Sequence, residues 1–280
     1  MKLVKKIISK IIMLLPILFL LGIIIYTFIN GFVFLGTEKL LSLAGFRWNP
    51  TRQEYGIFSM FIGSGLITIL AIMIATPISL IQGITISEYL PKNLKILFRS
   101  LLLTYAAIPP IIYGFWGLMT IVPIIKNVAG GSGYSILGGG IVLALMIMPT
   151  ITAAVDISLQ NISNEYREAS ISSGATNFET LYYIILPIAR PGILTGVLLG
   201  LGRAIGETTT VLLLTGNVTA IPDSIFSPGR TLTATIALEL GEAAGEHRQS
   251  IFAIAFILII VIIFTYAIMK LVINNFDRPY

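Results

Sequence analysis

Residues 57–81 read IFSMFIGSGLITILAIMIATPISLI, twenty-five positions without an Asp, Glu, Lys, Arg or His. About 20 apolar residues in a helix rising about 1.5 Å each cross the hydrocarbon core of a bilayer, so this stretch predicts a membrane span. Working outward, uncharged stretches of the same kind recur at about 11–30, 101–125, 136–155 and 251–269. A sixth, at about 191–215, is as long but contains Arg203 and Glu207. The composition agrees: of 280 residues 56% are hydrophobic and 11% charged, where a soluble domain has about a quarter charged. The predicted fold class is a single all-α polytopic membrane domain with about six transmembrane helices.

The first stretch follows Lys2, Lys5, Lys6 and Lys10. Its apolar run is too long for a signal peptide and no A-x-A-like site follows it, so it reads as an anchor. With a cytoplasmic N-terminus, eleven Lys and Arg residues fall on the inside (Lys2, Lys5, Lys6, Lys10, Lys92, Lys95, Arg99, Arg167, Arg190, Lys270, Arg278). Six fall outside (Lys39, Arg47, Arg52, Lys126, Arg230, Arg248). That asymmetry follows the positive-inside tendency and predicts both termini in the cytoplasm. Pro16, Pro77, Pro109, Pro110, Pro123 and Pro149 interrupt the spans. Such breakers are tolerated where neighbouring groups satisfy the freed carbonyls, as packing features or, at Pro109-Pro110, as a break in the third helix beside a pathway.

Several chemistries are excluded. There is no cysteine and one histidine, His247, which rules out thiolate and His-built metal sites. No cofactor is expected. No G-x-x-x-x-G-K-[ST] phosphate loop and no H-E-x-x-H occurs. Gly130-Gly131-Ser132-Gly133 fits the G-x-S-G pattern of intramembrane serine proteases, but it lies in a short external loop and reads as a flexible turn.

Residues 157–190 form a polar segment that reads as a helical hairpin. One helix covers about Asn164 to Ser173 and stops at Gly174, the residue type that tolerates a left-handed C′ position. The second starts at Thr176, with Thr176 and Glu179 spaced as a capping box, and ends at Pro187. Within it, Glu168-Ala169-Ser170, Gly174 and Ile184-Ile185-Leu186-Pro187 resemble the EAA motif of ABC-importer permeases, with Ser170 where a second alanine usually stands. The resemblance implies a coupling hairpin that docks on an ATP-hydrolysing subunit through Glu168, Ala169, Gly174, Leu186 and Pro187.

In the sixth stretch, Arg203 and Glu207 are four apart and would share one face of a continuous helix, close enough to pair. Each costs about 2.5–3.5 kcal/mol at mid-bilayer and calls for a reason. The pair reads either as a structural ion pair or as a transport device, the arginine's planar donors suiting a tetrahedral oxyanion. Gly192, Gly196 and Gly200 form one small-residue row and Gly202 with Gly206 another, and such rows predict close helix packing and an interior position.

Arg203-Ala204-Ile205-Gly206-Glu207-Thr208 is similar to the R-A-I-G-E-T signature of phosphate-importer permeases. Trp48-Asn49-Pro50, Glu88-Tyr89-Leu90-Pro91, Ile108 to Gly114 and Thr215-Gly216-Asn217 also resemble that family, with Pro110 departing from its usual serine. The first and last of these favour the PstC-type subunit over its PstA-type sister. The resemblance, over about residues 45–273, implies the type I ABC importer permease (MetI-like) fold and ATP-driven import of inorganic phosphate, with Arg203 and Glu207 in the substrate pathway. A permease for another oxyanion (sulfate, molybdate or tungstate) is the alternative. The implied partners are a homologous PstA-type permease, a dimer of cytoplasmic ATPase subunits and an external phosphate-binding protein, with no nucleic acid. The external segment 216–250 is expected to be the largest exposed element, with a short amphipathic helix over 230–237. Glu239, Glu242 and Glu246 are read there as a solvated face, with a docking surface for the binding protein as the sharper reading, and His247 as an ordinary loop residue.

Overall fold

The computed structural model describes residues 2–36 and 40–276; Lys39 and Arg278, counted in the orientation argument, lie outside the described residues. Helix α1 (Lys2–Leu35) and the single turn α2 (Leu40–Leu43) lead into a small antiparallel hairpin, β1 (Trp48–Asn49) and β2 (Glu54–Tyr55), in register Trp48–Tyr55 and Asn49–Glu54. α3 (Phe58–Ile84) ends in a π-helical turn, Thr85–Tyr89. There follow α4 (Lys92–Ala106), α5 (Pro110–Ala129), α6 (Ile136–Gln160), α7 (Asn164–Ser172) and α8 (Asn177–Thr180). A second π-helical turn, Leu181–Ile185, runs straight into α9 (Leu186–Gly206), followed by α10 (Thr209–Leu214), α11 (Leu232–Glu239) and α12 (Gly245–Phe276).

Among the described residues six helical segments are long and apolar enough to cross a membrane: Ile12–Leu35, Phe58–Tyr89, Pro110–Ala129, Ile136–Gln160, Asn177–Gly206 and Gly245–Leu271. Their burial separates centre from periphery. The apolar window of α6 is 72% buried, that of α1 6%, so α6 is the axis of the bundle and α1 lies at its edge. Glycines explain how α6 reaches its neighbours. A Cβ at Gly139 would meet the Thr215 side chain at 2.9 Å, and one at Gly140 would meet Leu70 at 2.9 Å. α1 packs chiefly along α12, where Gly31 lets it approach the Phe252–Ala253 backbone and Tyr26 meets the Phe252 ring edge-on.

The spans alternate in direction, so residues 2 and 276 lie at the same end of the bundle as the 157–190 hairpin. We call that the hairpin end, and the other, bearing β1, β2 and residues 216–244, the loop end.

The third span takes the broken form that Pro109-Pro110 offered, and the fifth differs from the sequence reading. The predicted 101–125 helix is two helices, α4 and α5, parted at Ala107–Pro109. Pro109 and Pro110 supply no N–H, and a proline turns the residue before it away from helical geometry, so the helix ends and restarts with Pro110 at its first position. The Tyr113 hydroxyl donates to the Tyr105 carbonyl at 2.8 Å across the break. The predicted 191–215 helix also divides, at Glu207–Thr208, and begins earlier than expected. Pro187 does not end the hairpin's second helix but sits in the first turn of α9. The π-helical turn before it shifts the register of carbonyl acceptors, which accommodates a proline inside a continuous run from Asn177 to Gly206.

The glycine rows part company too. Gly192, Gly196 and Gly200 lie against Ser158, Ala154 and Ile151 of α6, as close packing requires. A Cβ at Gly202 or Gly206 would meet nothing within 4 Å. α9 packs on α6, α3 and α12, and the face bearing Gly202 and Gly206 is exposed.

Candidate functional site

The antiparallel match of α9 to α6 sets the depth of the charged residues. The Arg203 guanidinium donates to the Thr150 hydroxyl at 3.2 Å. Thr150 lies about 21 Å along α6 from its loop-end start and about 15 Å from its hairpin-end finish, which is mid-bilayer depth.

Arg203 and Glu207 are not paired. α9 stops at Gly206 and Glu207 takes an extended conformation (φ −72°, ψ 129°), so the shared helical face never forms. Each charge instead complements a helix end. Arg203 lies in the last turn of α9, where carbonyl dipoles favour a cation. Glu207 precedes α10, and its carboxylate accepts the Thr210 N–H at 2.9 Å, the bond expected of an acid at a helix start. Among the described residues Thr150 is the one hydrogen-bond partner recorded for the Arg203 guanidinium, and no carboxylate lies within ion-pair distance of it.

The two helix breaks meet. Thr210, fully buried, donates its hydroxyl to the Pro110 carbonyl at 3.0 Å, so the gap between α9 and α10 is tied to the gap between α4 and α5. The buried Thr233 donates to the Glu207 carbonyl at 3.0 Å. Gly114 permits this approach, since a Cβ there would meet Leu213 at 2.7 Å. Interrupted helices at membrane depth are tolerated only where protein or a cavity receives the irregular backbone. The sequence reading missed Thr150, Thr210 and Thr233; they are ordinary threonines in apolar runs, and their roles depend on long-range packing.

At the hairpin end, α7 begins at Ser163, whose hydroxyl accepts the Glu165 N–H, and stops at Gly174 with φ +94°. The predicted capping box is present: the Thr176 hydroxyl accepts the Glu179 N–H at 3.2 Å and the Glu179 carboxylate accepts the Thr176 N–H at 2.8 Å. Ser170 and Thr180 share a buried hydrogen bond of 2.8 Å that joins the two arms, a role the usual alanine lacks. Glu168, Ala169 and Gly174 are exposed together on α7 and its closing turn. Leu186 and Pro187 are not beside them; Leu186 packs on the core and Pro187 is exposed at the start of α9. The exposed hairpin surface is aromatic, with Tyr166, Phe178, Tyr182 and Tyr183 each more than half exposed.

The loop end departs from its reading. Residues 229–235 are buried, and α11 starts with Thr231, whose hydroxyl accepts the Ala234 N–H. Glu239 is not on a solvated face. Its carboxylate receives Arg230 at 2.6 Å, His247 at 2.8 Å and the Trp48 indole at 2.9 Å, while Glu242 and Glu246 are exposed. One carboxylate thus holds the β-hairpin, the loop before α11 and the start of α12. His247 belongs to that network and lies in α12.

Residues 75–278 match the family of binding-protein-dependent transport system inner membrane components. A probable ABC transporter permease protein YqgH of Bacillus subtilis is 35% identical over 76% of this chain and 70% of its own. A probable phosphate transport system permease protein PstC of Methanocaldococcus jannaschii is 31% identical over 92% of each chain. Among solved structures, an inward-facing crystal form of the MetNI methionine ABC transporter aligns with a TM-score of 0.64 at 18% identity, covering 83% of this chain and all of the other. That likeness fixes the fold as all-α and multi-pass, of the MetI-like type.

Proposed function

This chain belongs to the family of binding-protein-dependent transport system inner membrane components, and from that we propose that it is the PstC-type membrane subunit of an ATP-driven importer of inorganic phosphate. The observation that carries the proposal is Arg203, a cation at mid-bilayer depth beside two joined helix breaks, with a neutral threonine as its recorded partner. An ion pair built for stability alone would have its carboxylate in place, and buried pairs give little net stability in any case. An arginine with donors to spare suits a tetrahedral oxyanion, to which it gives charge-assisted, bidentate hydrogen bonds.

Glu207 supplies discrimination. Its carboxylate is anchored through one oxygen at the start of α10. An anion that keeps a proton, as hydrogen phosphate does near neutral pH, can donate it to a carboxylate; a fully ionised sulfate meets only repulsion. Inward- and outward-facing states would then present the same arginine to either side.

The orientation follows from the lysine and arginine asymmetry: hairpin end and both termini in the cytoplasm, loop end outside, in the inner or plasma membrane. The exposed aromatic hairpin with Glu168, Ala169 and Gly174 is the surface offered to a dimer of ATPase subunits, which hydrolyse the ATP. A PstA-type sister covers the face of α9 around Gly202 and Gly206, and a phosphate-binding protein delivers the anion at the loop end.

Uptake of radiolabelled phosphate by the reconstituted complex, with excess sulfate or molybdate as competitor, tests this reading. ATP-dependent uptake that needs this chain, ignores the competitors and is lost in Arg203→Ala is expected. Normal uptake in Arg203→Ala removes the arginine from the pathway. Accumulation of another oxyanion in place of phosphate overturns the substrate.

A further inference from the structure

Arg167, in the first arm of the hairpin, makes contacts that neither docking nor the mid-membrane site uses. Its guanidinium binds Glu88 at 2.8 Å and also donates to the carbonyls of Leu159 at 3.1 Å and Ile162 at 3.0 Å. The first carbonyl belongs to the end of α6 and the second to the link into α7. Glu88 belongs to the π-helical turn that ends α3. One side chain therefore clamps the hairpin to two spans.

The surroundings of this clamp are unusual. A cavity of about 210 Å³ adjoins it, lined by Glu88, Tyr89, Arg167, Leu181 and Ile185 among others. Both π-helical turns of the fold, Thr85–Tyr89 and Leu181–Ile185, contribute to its wall. Such turns concentrate at functional sites. Two irregular turns, empty space between them and a charged contact beside it describe a joint, where a well-packed interface would be rigid.

The first π-helical turn is gripped from a second side. Lys95 of α4 donates to the Ser87 carbonyl, and Arg99, one turn on, binds Asp156 of α6 through two hydrogen bonds of 2.7 and 2.9 Å. Asp156 is 3% exposed. α4 then runs to the Ala107–Pro109 break, across which Tyr113 is bonded to Tyr105. A contiguous series of charged and hydrogen-bonded contacts thus connects the hairpin with the break beside the mid-membrane site.

We propose that Glu88 and Arg167 are positioning residues for transport: their ion pair is the joint through which movement of the hairpin is passed to the ends of α3 and α4. The proposal rests on the importer reading and names where its motion crosses from hairpin to spans. Contiguity alone does not establish coupling, so the test measures coupling itself.

The complex, reconstituted with its ATPase subunits and binding protein, is assayed for both ATP hydrolysed and phosphate taken up. Glu88→Gln and Arg167→Gln are expected to retain the ATPase subunits and hydrolysis while uptake per ATP falls at least tenfold. Because the chain has no cysteine, the double variant Glu88→Cys/Arg167→Cys, in partners freed of cysteine, offers a covalent substitute. A short bis(methanethiosulfonate) reagent, which joins the two thiols through disulfides with release of methanesulfinate, is expected to raise uptake per ATP at least fivefold over the unbridged protein, and a reductant to reverse it. Single variants with a normal ratio overturn the proposal. So does a bridged double variant that stays uncoupled, or loss of the ATPase subunits from every variant, which would make the pair ordinary support of the fold. If the unaltered complex takes up no phosphate, the importer reading itself fails, and that result is separate from all of these.

Discussion

Arg203 reaches across to Thr150 of α6 at 3.2 Å, while Glu207, four residues on in its own chain, turns away to the start of α10. The break at Glu207–Thr208 separates two charges that a continuous helix would have paired, and so leaves the arginine available.

Thr150 orients that arginine. Thr150→Val removes the hydroxyl at nearly constant volume, and a hydrogen bond to a charged group is worth about 1.5–3 kcal/mol, with 1.4 kcal/mol a factor of ten. The expected outcome is a roughly tenfold loss of phosphate uptake with the complex still assembled, measured by transport in proteoliposomes and by co-purification.

Glu207→Gln keeps an oxygen to accept the Thr210 N–H, so α10 stays capped. What disappears is the negative charge. Sulfate is therefore expected to become a competitor in the phosphate-uptake assay, with its inhibition constant improved about tenfold or more, while thermal stability changes little.

Ser170 and Thr180 give a double-mutant test of the hairpin. Ser170→Ala strands the buried Thr180 hydroxyl, at a cost of about 1–3 kcal/mol, whereas removing both partners with Ser170→Ala/Thr180→Val is nearly neutral. Thermal unfolding of the purified complex and limited proteolysis of the hairpin are expected to show the single variant weaker than the double.

Glu239→Gln at the loop end leaves Arg230, 9% exposed, without its counter-charge. Breaking a buried pair from one side costs about 3–5 kcal/mol. A marked fall in the unfolding temperature is expected. Glu242→Gln, at an exposed position, is expected to unfold like the unaltered protein.

The spans were legible because their signal is local. Residues 57–81 and 251–269 announce themselves by length and lack of charge, and the hairpin by Gly174 and the Thr176–Glu179 box, each of which the structure contains. The break within residues 101–125 had a local sign too, the adjacent Pro109 and Pro110 that the sequence offered as a break in the third helix. The readings that failed required knowing where a helix stops without such a sign. Residues 191–215 carry no proline near Glu207, and nothing local marks the break there. Glu239 looked like one of three solvated acids until α11 packed it against Arg230, His247 and Trp48.

Hydropathy, charge asymmetry and capping chemistry act between residues a few positions apart, so the sequence by itself determined that the chain is a six-span membrane protein with a capped hairpin. It also marked Arg203 and Glu207 as the charges needing a reason. Tertiary structure alone decided what they contact. Which glycine row packs, which threonine meets the arginine and which carboxylate Arg167 binds depend on α6 lying between α3 and α9, contacts that join residues from Ser158 and Gly192 to Pro110 and Thr210, far apart in the chain. The energies of those contacts exist only once the helices are assembled, so no local pattern encodes them.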